Sequence, residues 1–307
     1  MKHIIINGCN LQMSLYYQIK LLFKYVKNPI NSFLVFMGLK NSTKVILCNN
    51  LGEFIFVKND KHLLGSILGI IDQVNLEDNN IKEHFKSYIE QVNNEIIEID
   101  NIKFVNKEAE ILQESFLGNP YDLIEFENRT VIDVGANIGD STLVFANQNA
   151  KEIFAFEPVP PIYNIALENL ELNPQLKEKI HIYNKAVSGE AGTIKIYFEK
   201  GSWGGANSFN ETDEAYEIEA FTIEQILENY KVKPDVLKMD CEGCEYDIIL
   251  NSDLSMFNDI IFEYHQATTK IPSENLIKKL EKEGFKVNKY PVFNLNIEDM
   301  GIMHAYK

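Results

Sequence analysis

One stretch restricts the fold more than any other: TVIDVGANIGDSTLVFA, residues 130–146. A short apolar run ends at Asp133 and Val134, a turn follows with glycines at 135 and 139, and Asp140 opens a helical segment. A strand that passes through a glycine turn into a helix is the opening unit of a doubly wound α/β sheet, with a ligand above the turn. The turn marks a ligand site without naming the ligand.

Its spacing narrows the choice. A dinucleotide fingerprint needs glycines or small residues at 135, 137 and 140, and the last two are Asn137 and Asp140. A carboxylate at the helix start also repels a pyrophosphate. A cationic ligand meets no such cost. S-adenosylmethionine is one, with an ammonium, a sulfonium and no phosphate, and Asp133 beside Gly135 is placed to hold its amino-acid end. The next strand, EIFAFEP, ends in Glu157, 18 residues after Gly139. An acid there accepts hydrogen bonds from both ribose hydroxyls, a feature shared with dinucleotide sites. After IHIYNKAVS, Asn184, Ala186 and Val187 either flank an adenine face or are ordinary strand-to-turn residues.

The rest of the chain supports this frame. From about residue 109, strands at 130–134, 152–156, 180–184 with a hairpin partner at 193–198, 235–239 and 259–263 alternate with helical segments. FKVNKYPVF and GIMHAYK add an antiparallel pair at the end. The pattern predicts a doubly wound α/β sheet with an antiparallel edge. Residues 1–108 read as a smaller α+β region. A helix runs to about Lys27 and is broken by Pro29, hairpins sit at KVILCNN/EFIFVK and EIIEIDNIKFVN, and helical stretches lie near 61–74 and 81–93.

Charge and cysteines exclude some functions. With 29 Lys and Arg against 45 Asp and Glu, the formal charge of −16 has the wrong sign for neutralising nucleic-acid phosphates. No run of 18 apolar residues marks a membrane span. Four cysteines are too few for a disulfide framework, so a reduced, cytoplasmic chain is expected, with the pair Cys241 and Cys244 incidental.

PDVLKMDCEGCEYDIIL holds a second constellation. Strand alternation puts Val236, Lys238 and Asp240 on one face, and a lysine in a strand buried on both faces is costly unless paired. Lys238, Asp240 and Glu242 therefore form either a charged catalytic cluster at a strand end or a structural salt bridge with Glu242 at a helix start. In the catalytic reading, burial lowers the Lys238 pKa toward that of a base, and paired carboxylates hold a proton or a divalent metal. DIIFEYH ends with Glu263 and His265, and His265 is a candidate general base.

Five blocks occur in order: ESFLGNPYDLIEFENRTVIDVGANIGDSTL, IFAFEPVPPIYNIALENLELN, YNKAVSGEAGTIKIYF, VLKMDCEGCEYDIIL and IIFEYH. Together they resemble the FkbM family of S-adenosylmethionine-dependent methyltransferases over about residues 110–307. The resemblance implies a class I methyltransferase fold and methyl transfer, most often to a hydroxyl of a sugar, glycan or polyketide-type metabolite. It matches Asp133, Gly135, Ala136, Asn137 and Gly139 to the cofactor loop and Glu157 to the ribose-binding acid. Asp240, Glu242 and Gly243 match an Asp-x-Glu-Gly signature in which Cys241 replaces an aliphatic residue. Asp240 or His265 is then the proton acceptor, with Lys238 orienting the carboxylates. The glycine-rich insert EKGSWGGANSFNETDE is either a lid around Trp203 or a surface loop. An NAD(P)-dependent sugar-modifying enzyme and a non-catalytic scaffold are the competing readings.

Overall fold

The computed structural model describes residues 15–57, 61–73, 79–106, 120–198, 214–291 and 297–307, so the Trp203 insert lies outside the described residues. The chain forms two compact units, one within residues 6–119 and one over 120–307.

The first unit is α+β. Helices Leu15–Tyr25 and Pro29–Phe36 precede a hairpin of β1 (Ser42–Ile46) and β2 (Glu53–Val57); helices Lys61–Gln73 and Asn79–Gln91 precede a second hairpin, β3 (Ile96–Ile99) with β4 (Ile102–Val105). Pro29 does more than stop the first helix. It opens the next one, where its missing N–H costs nothing. Asp100 and Asn101 both adopt positive φ, 52° and 65°, which suits a two-residue hairpin turn. In β2, Phe54 and Phe56 alternate inward between exposed neighbours. Asp72 accepts from both Lys24 (2.8 Å) and Tyr25 (2.5 Å), fastening helix Lys61–Gln73 to helix Leu15–Tyr25.

The second unit is built on a seven-stranded sheet of β5 (Thr130–Val134), β6 (Glu152–Phe156), β7 (Ile180–Tyr183), β11 (Val236–Met239), β12 (Asp259–His265), β13 (Lys286–Pro291) and β14 (Met300–Tyr306). Their order is β13-β14-β12-β11-β5-β6-β7. The five strands from β7 to β12 are mutually parallel, while β14 runs antiparallel to both β12 and β13. This is the doubly wound class I methyltransferase architecture with a C-terminal antiparallel hairpin, as the sequence implied. Every residue of β5 and of β11 is buried, as befits central strands covered on both faces. The chain order reverses between β5 and its neighbours β6 and β11, so the crevice for a ligand opens at their carboxyl ends.

One strand pairing differs from the sequence expectation. β9 (Gly192–Phe198) does not return on β7; it pairs antiparallel with β10 (Glu214–Phe221), and β8 (Ala186–Val187) pairs parallel with the far end of β10. Alternation specifies a strand and its faces for β9 but not its neighbour, so the expected pairing with β7 rested on closeness in sequence alone. The chain turns away from the main sheet at Asn184, whose side-chain amide donates to the carbonyls of Glu157 (2.9 Å) and Pro158 (3.0 Å).

Candidate functional site

The site grows from the end of β5. Gly135 has φ 75°, and a Cβ there would lie 1.8 Å from the Asp240 carbonyl oxygen, so only glycine lets the β5 turn and the β11 turn meet. The amides of Gly135 and Ala136 both donate to the Phe156 carbonyl (3.0 Å each), and that of Gly139 donates to Ala136 (2.8 Å). These three N–H groups hold the turn together. Asn137, with φ 48°, donates its amide to Glu157 Oε2 (2.9 Å), and its own side-chain Oδ1 is buried without a hydrogen-bond partner.

Glu157 lies where the sequence put it, directly after β6. Its Oε1 accepts from the Val159 amide (2.8 Å). Burial raises its pKa to about 8, against the opposing pull of the Val159 and Asn137 amides.

Asp133 lies near the end of β5 beside the glycine turn, as expected, but its carboxylate is engaged within the protein. It is fully buried, its Oδ2 accepts from Ser141 (2.8 Å) and Thr142 (2.7 Å), and its Oδ1 pairs with Lys238 Nζ at 3.0 Å. Asp133 and Lys238 are register partners on adjacent parallel strands, which sets the two side chains on one face. Lys238 also donates to the Gly135 carbonyl (2.8 Å). Burial pulls its pKa down, but the charges of Asp133 and Asp240 more than offset this and the net shift is upward. The expected lysine base is therefore a fixed cation that ties β11 to the glycine turn. Ala186 and Val187, both 3 % exposed, are core residues: the first packs with Ile218 and Ala220, the second belongs to the main core.

The second half of the site lies after β11 and β12. Alternation along β12 sets Asp259, Ile261, Glu263 and His265 on one face. The segment after Met239 turns tightly through Glu242 (φ 57°) and Gly243 (φ 116°) into the helix Cys244–Asn251. Glu245, fully buried, holds this turn by accepting from the amides of Cys241 (2.8 Å) and Gly243 (2.9 Å). Sequence reasoning missed Glu245. The pattern that could have found it is an acid two residues after a glycine at a helix start, where orphan amides need an acceptor.

The same turn brings Cys241 and Cys244 together as a disulfide with Cα atoms 5.4 Å apart, which corrects the expectation of an incidental, reduced pair. A Cys-x-x-Cys spacing carries no information on φ, and the left-handed Glu242 and Gly243 are what close it.

His265 is 4 % exposed and ringed by carboxylates: its Nε2 is 3.4 Å from Glu242 Oε2 and 3.9 Å from Glu263 Oε1, and its Nδ1 is 3.5 Å from Glu245 Oε1. Burial pulls its pKa down, yet Glu245, Glu263 and Glu242 outweigh that and hold it well above the ordinary value. The raised pKa favours the protonated ring in the absence of another cation, and a protonated ring does not accept the hydroxyl proton. Asp240 has a raised pKa, because burial outweighs the attraction of Lys238 and His265. Ligand atoms of Asp240, Glu263 and His265 all lie within 4.8 Å of one another. The structure therefore gathers Gly135, Asn137, Glu157, Lys238, Asp240, Glu242 and His265 at the carboxyl ends of β5, β6, β11 and β12, with Asp133 buried against Lys238 and with Ala186 and Val187 in the cores.

Comparison with known proteins follows the same region. The family model described as "Methyltransferase FkbM domain" matches residues 133–287, just over half of the chain. Methyltransferase sdnD of Sordaria araneosa is 25% identical over 236 residues, covering 64% of this chain and 90% of that protein. The crystal structure of Methyltransferase FkbM from Methylobacillus flagellatus KT overlaps 81% of this chain at 10% identity with a TM-score of 0.45. This chain spans only 60% of the length of that structure. Precorrin-6y C5,15-methyltransferase from Geobacter metallireducens GS-15 overlaps 59% of this chain and 81% of its own, at 16% identity and a TM-score of 0.36. Among the described residues, no helix is long and apolar enough to cross a membrane.

Proposed function

Since the chain belongs to the FkbM methyltransferase family, we propose that it moves the methyl group of S-adenosylmethionine onto a hydroxyl of a sugar, glycan or polyketide-type metabolite. One observation carries the cofactor: the crevice is lined by acceptors. Asn137 Oδ1 is buried without a partner, Glu157 sits at the end of β6, Asp240 closes the far side, and the lysine at this junction, Lys238, is engaged with Asp133 and the Gly135 carbonyl. A ligand rich in donors and positive charge suits such a lining, whereas a pyrophosphate would face Asp140, 5 % exposed in the first turn of helix Asp140–Asn147. That disfavours the NAD(P) reading.

When bound, S-adenosylmethionine supplies a methyl group already activated on a sulfonium. Glu157 holds the ribose hydroxyls, and Asn137 Oδ1 takes a further donor from the cofactor. The glycine turn sets the approach, and alignment of this kind contributes on the order of 7–11 kcal/mol in well-oriented intramolecular reactions. Asp240 takes the acceptor's hydroxyl proton. Its raised pKa suits the task, since a carboxylate matched more closely to working pH is a better proton acceptor. Lys238 positions Asp240 and stays charged. The formal charge of −16 favours a metabolite or glycan over nucleic acid as acceptor.

The reading is tested with methyl-labelled S-adenosylmethionine and a panel of hydroxylated sugars, glycans and polyketides. Labelled methyl ether is the expected product, with Asp240→Ala losing at least about tenfold in turnover while S-adenosylhomocysteine affinity is unchanged. A turnover loss below that in the variant removes Asp240 as proton acceptor.

A further inference from the structure

His265 is in an arrangement that ion pairing alone does not explain. Elsewhere in this unit, histidines beside carboxylates close to hydrogen-bonding distance: His304 on Asp259 at 2.7 Å and His181 on Glu152 at 2.9 Å. His265 has three carboxylates around it and none closer than 3.4 Å, and its buried Nδ1 has no hydrogen-bond partner. A charge-assisted pair would contract to about 2.7–2.9 Å. By contrast, two ligands each about 2.1 Å from one ion stand about 3.0–4.2 Å apart, and the 3.9 Å between His265 Nε2 and Glu263 Oε1 falls within that span. The stand-off is the spacing of groups arranged around something.

We propose that Asp240, Glu263 and His265 bind a divalent first-row transition cation, of the Mn²⁺ or Zn²⁺ type, at the acceptor end of the crevice. Their ligand atoms lie within 4.8 Å of one another, and they come from the ends of two adjacent strands, β11 and β12, so rigid backbone fixes the set. One imidazole with two carboxylates favours such an ion over Mg²⁺ or Ca²⁺, which prefer all-oxygen sites. The set also has its outer support. Glu245 Oε1, fixed by the Cys241 and Gly243 amides, stands 3.5 Å from His265 Nδ1, not hydrogen-bonded to it but on the side from which a carboxylate orients a metal-binding imidazole. Nε2 is thereby left toward Glu263 and Glu242. Glu242, partly exposed at the rim, is near enough to join once an ion is present.

This inference rests on the methyl-transfer reading for its purpose. A cation here coordinates the acceptor oxygen and lowers the cost of deprotonating it. The hydroxyl proton passes to the carboxylate oxygen of Asp240 that does not bind the ion. The electron pair left on oxygen forms the new O–CH₃ bond, the S–CH₃ pair remains on sulfur, and the sulfonium becomes a neutral thioether.

The test needs neither acceptor nor turnover. The full chain, stripped with a chelator and then dialysed, is titrated with Mn²⁺ while the electron paramagnetic resonance signal of free Mn²⁺ is followed, with Mg²⁺ as competitor. The same preparation is titrated calorimetrically with S-adenosylmethionine. One Mn²⁺ per chain is expected, poorly displaced by Mg²⁺, with affinity reduced at least tenfold in His265→Gln and in Asp240→Asn. Both variants are checked for a native circular dichroism spectrum, and one folded variant suffices. Absence of stoichiometric Mn²⁺ binding in a protein that binds S-adenosylmethionine overturns the metal site and leaves the methyltransferase reading standing. Undiminished binding in a folded variant also overturns it. Mn²⁺ binding at these residues without any S-adenosylmethionine binding keeps the site and overturns its assigned purpose.

Discussion

Gly135 carries two constraints, a left-handed φ of 75° and an Asp240 carbonyl where a Cβ would be. Gly135→Ala must push the two turns apart, so it is expected to cost at least about 2 kcal/mol in chemical denaturation and to abolish cofactor binding; a variant of native stability contradicts the packing described. Glu157 gives a pH dependence with a definite sign. Its pKa rises from 4.5 to about 8 on folding, so between those values the folded chain holds a proton that the unfolded chain releases. The stability associated with this proton is fully present below pH 4.5 and lost as pH rises through about 8. Melting temperatures of the cofactor-free protein should fall across that window, and Glu157→Gln should fall less, because the amide keeps the buried group neutral at every pH. Parallel curves for the two proteins would place the proton elsewhere.

Among elements, the pairing of β5 with β11 matters most. Lys238 and Asp133 are 3 % and 0 % exposed and face each other across the register. Removing one partner strands a buried charge, so Lys238→Met is expected to cost about 3–5 kcal/mol, whereas Lys238→Met with Asp133→Asn should recover much of that. Denaturant unfolding of both variants measures this; a double variant no better than the single would mean the pair is not the source. These strands also mark how far the sequence could be read. The glycine turn, the apolar strands and Glu157 were legible because strand alternation, turn chemistry and chain order are local properties. The role of Asp133 was not, because its partners Ser141, Thr142 and Lys238 are fixed by the helix start and by a strand about 100 residues away. Glu245 and the Cys241–Cys244 disulfide were hidden for a similar reason, since both depend on the left-handed turn at Glu242 and Gly243. The partner of β9 was hidden because alternation specifies a face and not a neighbour.

At the scale of the molecule, the C-terminal unit is one doubly wound sheet whose switch point gathers nearly all of the acidic chemistry described, and the N-terminal unit has its own helices and hairpins. The change of pattern near residue 109 marked two regions in the sequence, whereas the two compact units divide between Asn119 and Pro120; order along the chain sufficed to name the sheet class. The central claim is that the acceptor-lined crevice receives a phosphate-free cationic cofactor. Its most direct test is a calorimetric titration of the protein and of Glu157→Ala with S-adenosylmethionine, S-adenosylhomocysteine and NAD. Binding of the first two, at least about tenfold weaker in the variant, with no binding of NAD is the predicted result; binding of NAD alone would contradict it.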